Sequence, residues 1–177
     1  MSALDLDALR AAHADLNVQV SFSPTSDPDS HEVRMRVPGE HARTLLERLR
    51  GEADTPSVRL LDLTVVDRMD ASPAGFEMVY RLASRVDEFA YRVHGFIPDS
   101  AEDNPSIDSV SALWPSALWL EREAFDLFGI GFRGHPELRR LLLGADFGAD
   151  LGADADLNGA PLRKSAGQGQ SSSGAGR

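Results

Sequence analysis

Residues 119 to 140 read Trp119-Leu-Glu-Arg-Glu-Ala-Phe-Asp-Leu-Phe-Gly-Ile-Gly-Phe-Arg-Gly-His-Pro-Glu-Leu-Arg-Arg140, and we call this stretch the signature segment. Its first half has helical periodicity, whereas glycines and a proline crowd its second half. The pattern predicts a helix that ends in a tightly turned loop. Charged and aromatic side chains are denser here than an ordinary surface helix requires, which indicates a contact surface for another protein.

The predicted signature helix, residues 118 to 128, has one broad apolar arc. The opposite arc holds three polar residues, Arg122, Glu123 and Asp126. Glu121 falls within the apolar arc, where a carboxylate must be paired or hydrogen-bonded. We expect Arg139 or Arg140 as its partner. Two roles remain open for Glu121: an internal pair that fastens the following loop to the helix, and a direct contact with another protein.

Trp119 lies amid the polar arc, where a large aromatic side chain gains little unless another surface covers it. Ordinary partial exposure of a single aromatic residue is the alternative. Four carboxylates and four arginines cancel within the signature segment, although the whole chain has a net charge of −10. A partner could therefore dock there without desolvating a large uncompensated charge. The predicted interface residues are Trp119, Arg122, Glu123, Asp126, Arg133, His135 and Arg139.

The signature segment resembles that of the C subunit of the proton-pumping NADH:quinone oxidoreductase, respiratory complex I. The family pattern is Glu-Arg-Glu, two residues, Asp, two residues, Gly-Ile, one residue, Phe, one residue, Gly-His-Pro, one residue, Leu-Arg-Arg. The chain fills every position, with Glu121, Arg122, Glu123, Asp126, Gly129, Ile130, Phe132, Gly134, His135, Pro136, Leu138, Arg139 and Arg140. The resemblance extends from roughly residue 55 to 164, and its weaker end has Ala160 where the family has His and Ser165 where it has Asp.

The resemblance implies a cofactor-free, peripheral, non-catalytic subunit on the cytoplasmic side of the cell membrane. Such a subunit helps to assemble the arm that carries electrons from NADH through iron–sulfur clusters to quinone, coupled to proton translocation. The implied partners are the quinone-site subunit related to the hydrogenase large subunit and a neighbouring iron–sulfur subunit. Two alternatives remain: the homologous subunit of a membrane-bound nickel–iron hydrogenase, and a stand-alone acidic α+β binding domain.

Composition excludes several other classes of protein. The absence of Cys excludes a thiolate-bound iron–sulfur cluster or zinc site supplied by this chain. No apolar stretch approaches the roughly 20 residues that span a bilayer, and no apolar signal peptide opens the sequence, so we expect a cytosolic or peripheral protein. The net charge of −10 argues against nucleic-acid binding, which needs clustered Lys and Arg.

Two motifs contain residue types found in known ligand sites but lack another feature that those sites require. Gly129-Ile-Gly131-Phe-Arg-Gly134 follows a predicted helix, whereas the dinucleotide fingerprint needs a strand before it and a helix opening within it. We expect instead that Gly129 caps the signature helix, that Gly134 permits a turn, and that Pro136 begins a short helix ending at Gly144. Asp154-Ala-Asp-Leu-Asn-Gly159 matches half of a calcium loop, but its twelfth position is Ser165 where the loop needs Glu.

His135 is the remaining candidate for chemistry. The other four histidines show no metal-ligand spacing around it, so we expect a hydrogen-bonded structural histidine in an interface loop. The sequence thus predicts no catalytic residue, no metal site and no cofactor. The residues predicted to act structurally are Glu121, Gly129, Gly134, Pro136 and Arg140.

The remaining chain predicts an α+β fold. Apolar periodicity indicates a helix at 4–13, strands at 16–22 and 33–37, a helix at 40–50, and strands at 58–66, 75–83 and 89–97. This order favours two layers, with helices on one face of a mixed sheet. We expect an α+β domain at 1–113, the signature helix and loop at 114–143, a flexible insertion and contact segment at 144–164, and a disordered tail at 165–177.

Overall fold

The computed structural model of the protein describes residues 6–24, 31–51, 58–68, 70–84, 89–99, 104–144 and 160–163. Three α-helices are present in this part: α1 (Leu6–Ala12), α2 (Gly39–Gly51) and α3 (Ala117–Phe128), with a short 3₁₀ helix at Ala14–Leu16. The strands are β1 (Gln19–Pro24), β2 (His31–Pro38), β3 (Arg59–Asp67), β4 (Gly75–Ala83), β5 (Phe89–Pro98), β6 (Ser106–Asp108) and β7 (Gly131–Arg133). Of the expected insertion and contact segment at 144–164, the structure describes Gly144 and residues 160–163, and the expected tail at 165–177 lies outside the described residues.

Five strands form one mixed sheet in the order β1-β2-β5-β4-β3. The central pair β2 and β5 is parallel, and the other neighbouring pairs are antiparallel. Strand alternation turns one apolar face of the sheet toward the helices, because successive side chains point to opposite faces. The predicted α+β fold with a mixed sheet is therefore confirmed.

The core lies between this apolar face and the helices. Strand β4 contributes four side chains that are at most 1% exposed, Phe76, Met78, Tyr80 and Leu82. Helix α2 contributes Ala42, Leu45, Leu46 and Leu49, each fully buried. Gly95 of β5 faces Ala42 and Ile107 so closely that an added Cβ would lie 2.9 Å from the Ala42 Cβ. The absence of a side chain there lets α2 approach the sheet.

Strands β6 and β7 form a small parallel sheet that the sequence did not reveal. Three-residue strands are too short to produce a readable alternation. This pairing joins the loop after α3 to the segment before it, and so fixes the second half of the signature segment on the domain.

One predicted strand boundary and one predicted helix also differ from the structure. The first strand begins at Gln19 and not at residue 16, because Leu16 ends a 3₁₀ helix and Asn17 takes a left-handed conformation with φ 54°. The predicted short helix from Pro136 to Gly144 is wrong, since these residues form turns and bends. Backbone groups of residues 139–143 bind side chains of α3 instead of forming a helix of their own.

Candidate functional site

Helix α3 carries the first half of the signature segment and packs its apolar side on the domain. Ala117 and Ala124 are buried, and the indole of Trp114, just before the helix, donates a hydrogen bond to the Val58 carbonyl at 3.2 Å. Gly129 ends the helix as predicted, with φ 72° and its N–H bonded to the Phe125 carbonyl. The helix is thereby fixed at both ends.

Glu121 is fully buried, as the periodicity of the helix predicted, but its predicted partners are wrong. Its carboxylate accepts hydrogen bonds from the Ser109 hydroxyl at 2.6 Å and from the Val110 N–H at 2.7 Å. Burial raises the pKa of Glu121, and these two hydrogen bonds oppose the rise. Glu121 therefore ties α3 to the segment at 109–110, and not to Arg139 or Arg140.

Arg122 and Asp126 were expected on an exposed polar arc, and both are buried. The Arg122 guanidinium donates to the carbonyls of Arg139 and Arg140, both at 3.0 Å. One oxygen of Asp126 accepts the three successive backbone N–H groups of residues 141–143, at 3.0, 2.7 and 2.9 Å. The segment at 139–143, which we call the strap, lies across this side of the helix and covers both side chains.

The electrostatics of Asp126 fit this role. Burial by itself would raise its pKa, but the N–H groups of the strap and the charge of Arg140 at 3.3 Å lower the pKa below 3.8. The carboxylate thus stays ionised inside the protein because backbone dipoles and a guanidinium solvate it. Asp126 therefore fixes the conformation of the strap, although the strap is neither a helix nor a strand.

The glycine-rich half of the signature segment is a structural loop. The N–H of Gly131 bonds to the Pro105 carbonyl at 2.8 Å, and Gly134 turns the chain with φ 81°. The N–H groups of Gly129 and Gly131 therefore both form hydrogen bonds within the chain.

Both ring nitrogens of His135 form hydrogen bonds within the chain. Its Nδ1 accepts the N–H of Glu137 at 3.0 Å, and its Nε2 lies 3.1 Å from the Leu118 carbonyl. Because Nδ1 is an acceptor, Nε2 carries the proton and donates to that carbonyl. The ring therefore joins the loop to α3, which agrees with the expected structural histidine.

The other predicted residues lie at the outer surface. Arg133 is 54% exposed while it pairs with Asp108 at 2.8 Å, and Arg139 is 67% exposed while it pairs with Glu137 at 2.9 Å. Glu123 and Pro136 are exposed as well. The charges of Arg133 and Arg139 are thus paired within the chain.

Three large apolar side chains are exposed on α3 and on the segments that it holds. Trp119 is 59% exposed, and the Arg122 guanidinium lies 5.0 Å from its ring centroid. Leu142 is 60% exposed on the strap, and Leu162 is 52% exposed where its N–H bonds to the Leu127 carbonyl at 2.9 Å. Only Trp119 was predicted from the sequence. For Leu142, the sequence signal was the run of three leucines at 141–143 followed by Gly144.

We call the exposed side chains of Trp119, Glu123, Arg133, Arg139, Leu142 and Leu162 the signature surface. Arg133 and Arg139 are held by ion pairs, Trp119 lies against the Arg122 guanidinium, and the backbone N–H groups of Leu142 and Leu162 bond to α3. Among the described residues, no group of three or more His, Asp or Glu side chains could hold a metal ion. No helix in that same part of the chain is long and apolar enough to cross a membrane.

Sequence comparison identifies relatives of the chain. Residues 35–171 match the family model described as the 30 Kd subunit of respiratory-chain NADH dehydrogenase. The NADH-quinone oxidoreductase C subunit of Citrifermentans bemidjiense is 40% identical over 129 residues, which cover 72% of this chain and 76% of that protein. The corresponding protein of Ralstonia pickettii is 41% identical over 108 residues, 58% of this chain and 52% of that protein. The chain thus spans about half the length of some of its relatives.

Solved structures share the fold. A trypsin-resistant fragment, residues 1–134, of Nqo5 superposes with a TM-score of 0.58 at 26% identity, covering 75% of this chain and 98% of the fragment. A chain of an archaeal membrane-bound sulfane sulfur reductase superposes with a TM-score of 0.59 at 19% identity, covering 78% of this chain and 75% of that one, which shows a common fold alone. Because the family match covers well over half of the chain and the whole signature segment, the chain belongs to the family of the respiratory-chain NADH dehydrogenase 30 Kd subunit.

Proposed function

We propose that this chain is a peripheral, non-catalytic subunit of an NADH–quinone oxidoreductase, which docks through its signature surface and helps to assemble the electron-carrying arm. The observation that carries the proposal is a set of large apolar side chains exposed on a rigid base: Trp119, Leu142 and Leu162. Exposed apolar groups of this size, bordered by charged residues, are typical of protein interfaces.

The rigid base favours docking energetically. Arg122 lies against the Trp119 ring and also holds the strap, so the two anchors Trp119 and Leu142 are positioned by one guanidinium and by Asp126. A partner would then lose little conformational entropy in ordering them. The paired charges of Arg133 and Arg139 give the surface a polar rim that needs no new counter-charge.

The partners come from the family resemblance. We propose the quinone-site subunit related to the hydrogenase large subunit, together with a neighbouring iron–sulfur subunit, on the cytoplasmic side of the membrane. The chain itself would bind neither NADH nor quinone. Glu121, Arg122 and Asp126 of its signature segment form hydrogen bonds within the chain, which supports a structural role for them.

The test replaces Trp119 and Leu142 together with alanine in the full chain. We expect loss of co-purification with the other subunits and loss of NADH:quinone electron transfer from membranes, because removed anchors cost at least about 2 kcal/mol each in binding. The thermal midpoint of the free chain should stay within a few degrees, since both side chains are more than half exposed.

The matched control is Leu61→Ala, which removes a leucine that is 45% exposed on β3, far along the chain from the signature segment. It should leave co-purification unchanged. A fully active complex that carries both Trp119→Ala and Leu142→Ala would contradict docking through the signature surface.

A further inference from the structure

The five-stranded sheet has a second face, turned away from the helices, and we call it the open face. In the described part of the chain the helices pack on the other face, where α2 contacts β2 and β5. On the open face, alternate residues of the central strands are charged where the core face is apolar: Glu32, Arg34, Arg36, Glu77, Arg81 and Arg92. A polar outer face is ordinary for an antiparallel sheet, but the arrangement of these charges is not.

Three arginines lie in one row across the middle of the sheet. Arg34 of β2 is the direct partner of Arg92 on β5, and Arg92 is the direct partner of Arg81 on β4. Like charges directly opposite each other on neighbouring strands destabilise a sheet. The row therefore brings three guanidinium groups into one extended line, and the ion pair of Arg92 with the buried Glu32 offsets part of their repulsion.

Two carboxylates of the open face, Glu32 and Glu77, lie beneath its arginines, whereas a third, Asp62, is partly exposed directly across from Arg81. The side chains of Glu32 and Glu77 are only 8% and 11% exposed, and Arg92 pairs with Glu32 at 3.0 Å. Arg36 and Arg68 approach Glu77 at 3.6 Å, yet they are 48% and 37% exposed. On the central strands β2, β4 and β5 the more exposed charges of this face are consequently cationic, on a protein whose net charge is −10.

We propose that the open face is a second docking surface, which binds an acidic surface of another protein subunit through Arg36, Arg81 and the arginine row. Guanidinium groups form bidentate hydrogen bonds with carboxylates, and a flat row of them matches acidic residues spaced along a helix or strand. An opposing row of carboxylates also removes the repulsion among the three arginines.

Charge complementarity favours a protein as the occupant. Anionic lipids and nucleic acids present negative charge over a whole plane or line, which would repel the rest of this acidic chain. A protein can confine its acidic residues to the area that meets the open face. The inference rests on the proposed function in one respect, because its test is carried out on the assembled complex.

The test uses the rarity of lysine in the chain, because Lys164 is its single lysine. Arg81→Lys keeps the charge and introduces an amine on the open face, which a water-soluble carbodiimide joins to any carboxylate in direct contact. In the assembled complex we expect a cross-link from position 81 to an Asp or Glu of another subunit, identified by mass spectrometry. The control Arg50→Lys, at the exposed end of α2, should form no such link.

A charge reversal completes the test. Arg81→Glu should lower the amount of chain retained in the complex at 150 mM salt by about tenfold or more, because it places a carboxylate against an acidic partner. Arg50→Glu should change it less than twofold, and both variants should keep the thermal midpoint of the free chain.

Three results would overturn the inference. One is a complex that holds the chain while position 81 links only to Asp62, its cross-strand partner within the chain. Another is flotation of the free chain with phosphatidylglycerol vesicles that Arg81→Glu abolishes, since this would assign the open face to lipid. The third is a chain that co-purifies with no other subunit, and this result alone would also contradict the proposed function.

Discussion

Arg122 and Asp126, one turn apart on α3, bind opposite kinds of backbone group in the same five-residue strap. Arg122 donates to the carbonyls of residues 139 and 140, and Asp126 accepts from the N–H groups of residues 141–143. The two side chains are buried by the segment they hold. Their role is therefore to position Leu142 and Arg139 at the surface, and a direct contact of either residue with a partner becomes secondary.

Asp126→Asn should loosen the strap. An amide has one acceptor oxygen and no charge, so it cannot replace a carboxylate that receives three N–H groups and Arg140, and we expect a loss of about 2 kcal/mol in unfolding free energy. Hydrogen–deuterium exchange of the amides of residues 141–143 should accelerate at least tenfold. Glu123→Gln, an exposed change on the same helix, is the control and should leave these amides protected.

Glu121→Ala should destabilise the free chain more than Trp119→Ala, by on the order of 3 kcal/mol. The change leaves the Ser109 hydroxyl and the Val110 N–H without their acceptor in a buried site, and each such loss costs about 1 to 3 kcal/mol. Trp119→Ala removes a ring that is 59% exposed and should act on binding instead. Urea melts of the two variants decide the question, and equal midpoints would place Glu121 outside the stabilising network.

The two carboxylates of α3 predict opposite pH dependences. The pKa of Glu121 is raised in the fold, so its contribution to stability is complete below about 4.5 and is lost as the pH rises through the raised pKa. The pKa of Asp126 is lowered, so its contribution is present above 3.8 and is lost as the pH falls through the lowered pKa.

Urea midpoints measured from pH 3 to 8 test both signs. Wild type should lose stability relative to Glu121→Gln as the pH rises past 4.5. The loss of stability caused by Asp126→Asn, relative to wild type, should instead become smaller as the pH falls below 3.8. Parallel curves for wild type and both variants would show that neither carboxylate changes its pKa on folding.

Changing Gly129 or Gly134 to alanine should lower the free energy of unfolding by about 1 kcal/mol in each case, because both residues have positive φ. Space is not the reason. A Cβ at Gly134 would meet nothing within 4 Å, and one at Gly129 would meet the Ala160 Cβ at an ordinary 3.5 Å. Thermal melts of the two variants should therefore give similar losses, and a much larger loss at Gly129 would indicate a tighter contact with the segment at 160–163.

The sequence by itself determined the layered fold and the position of the signature helix. Helical and strand periodicities depend on local geometry and on one buried face, so they could be read for α2, β3, β4 and β5 without knowing their neighbours. The same reasoning located Glu121 on the buried side and Gly129 at the end of the helix. The family followed from a pattern of residue types at fixed spacing.

Only the tertiary structure decided which groups meet. Arg122 and Asp126 looked exposed because helical periodicity gives directions around one helix, and it cannot show that a segment without regular structure returns to cover them. The partner of Glu121 was likewise a hydroxyl and an N–H from a segment before the helix, and not a charge. The arginine row arises from the parallel register of β2 with β5, which joins residues almost sixty positions apart. Strand register and loop return are set by long-range packing, and no local pattern in the chain encodes them.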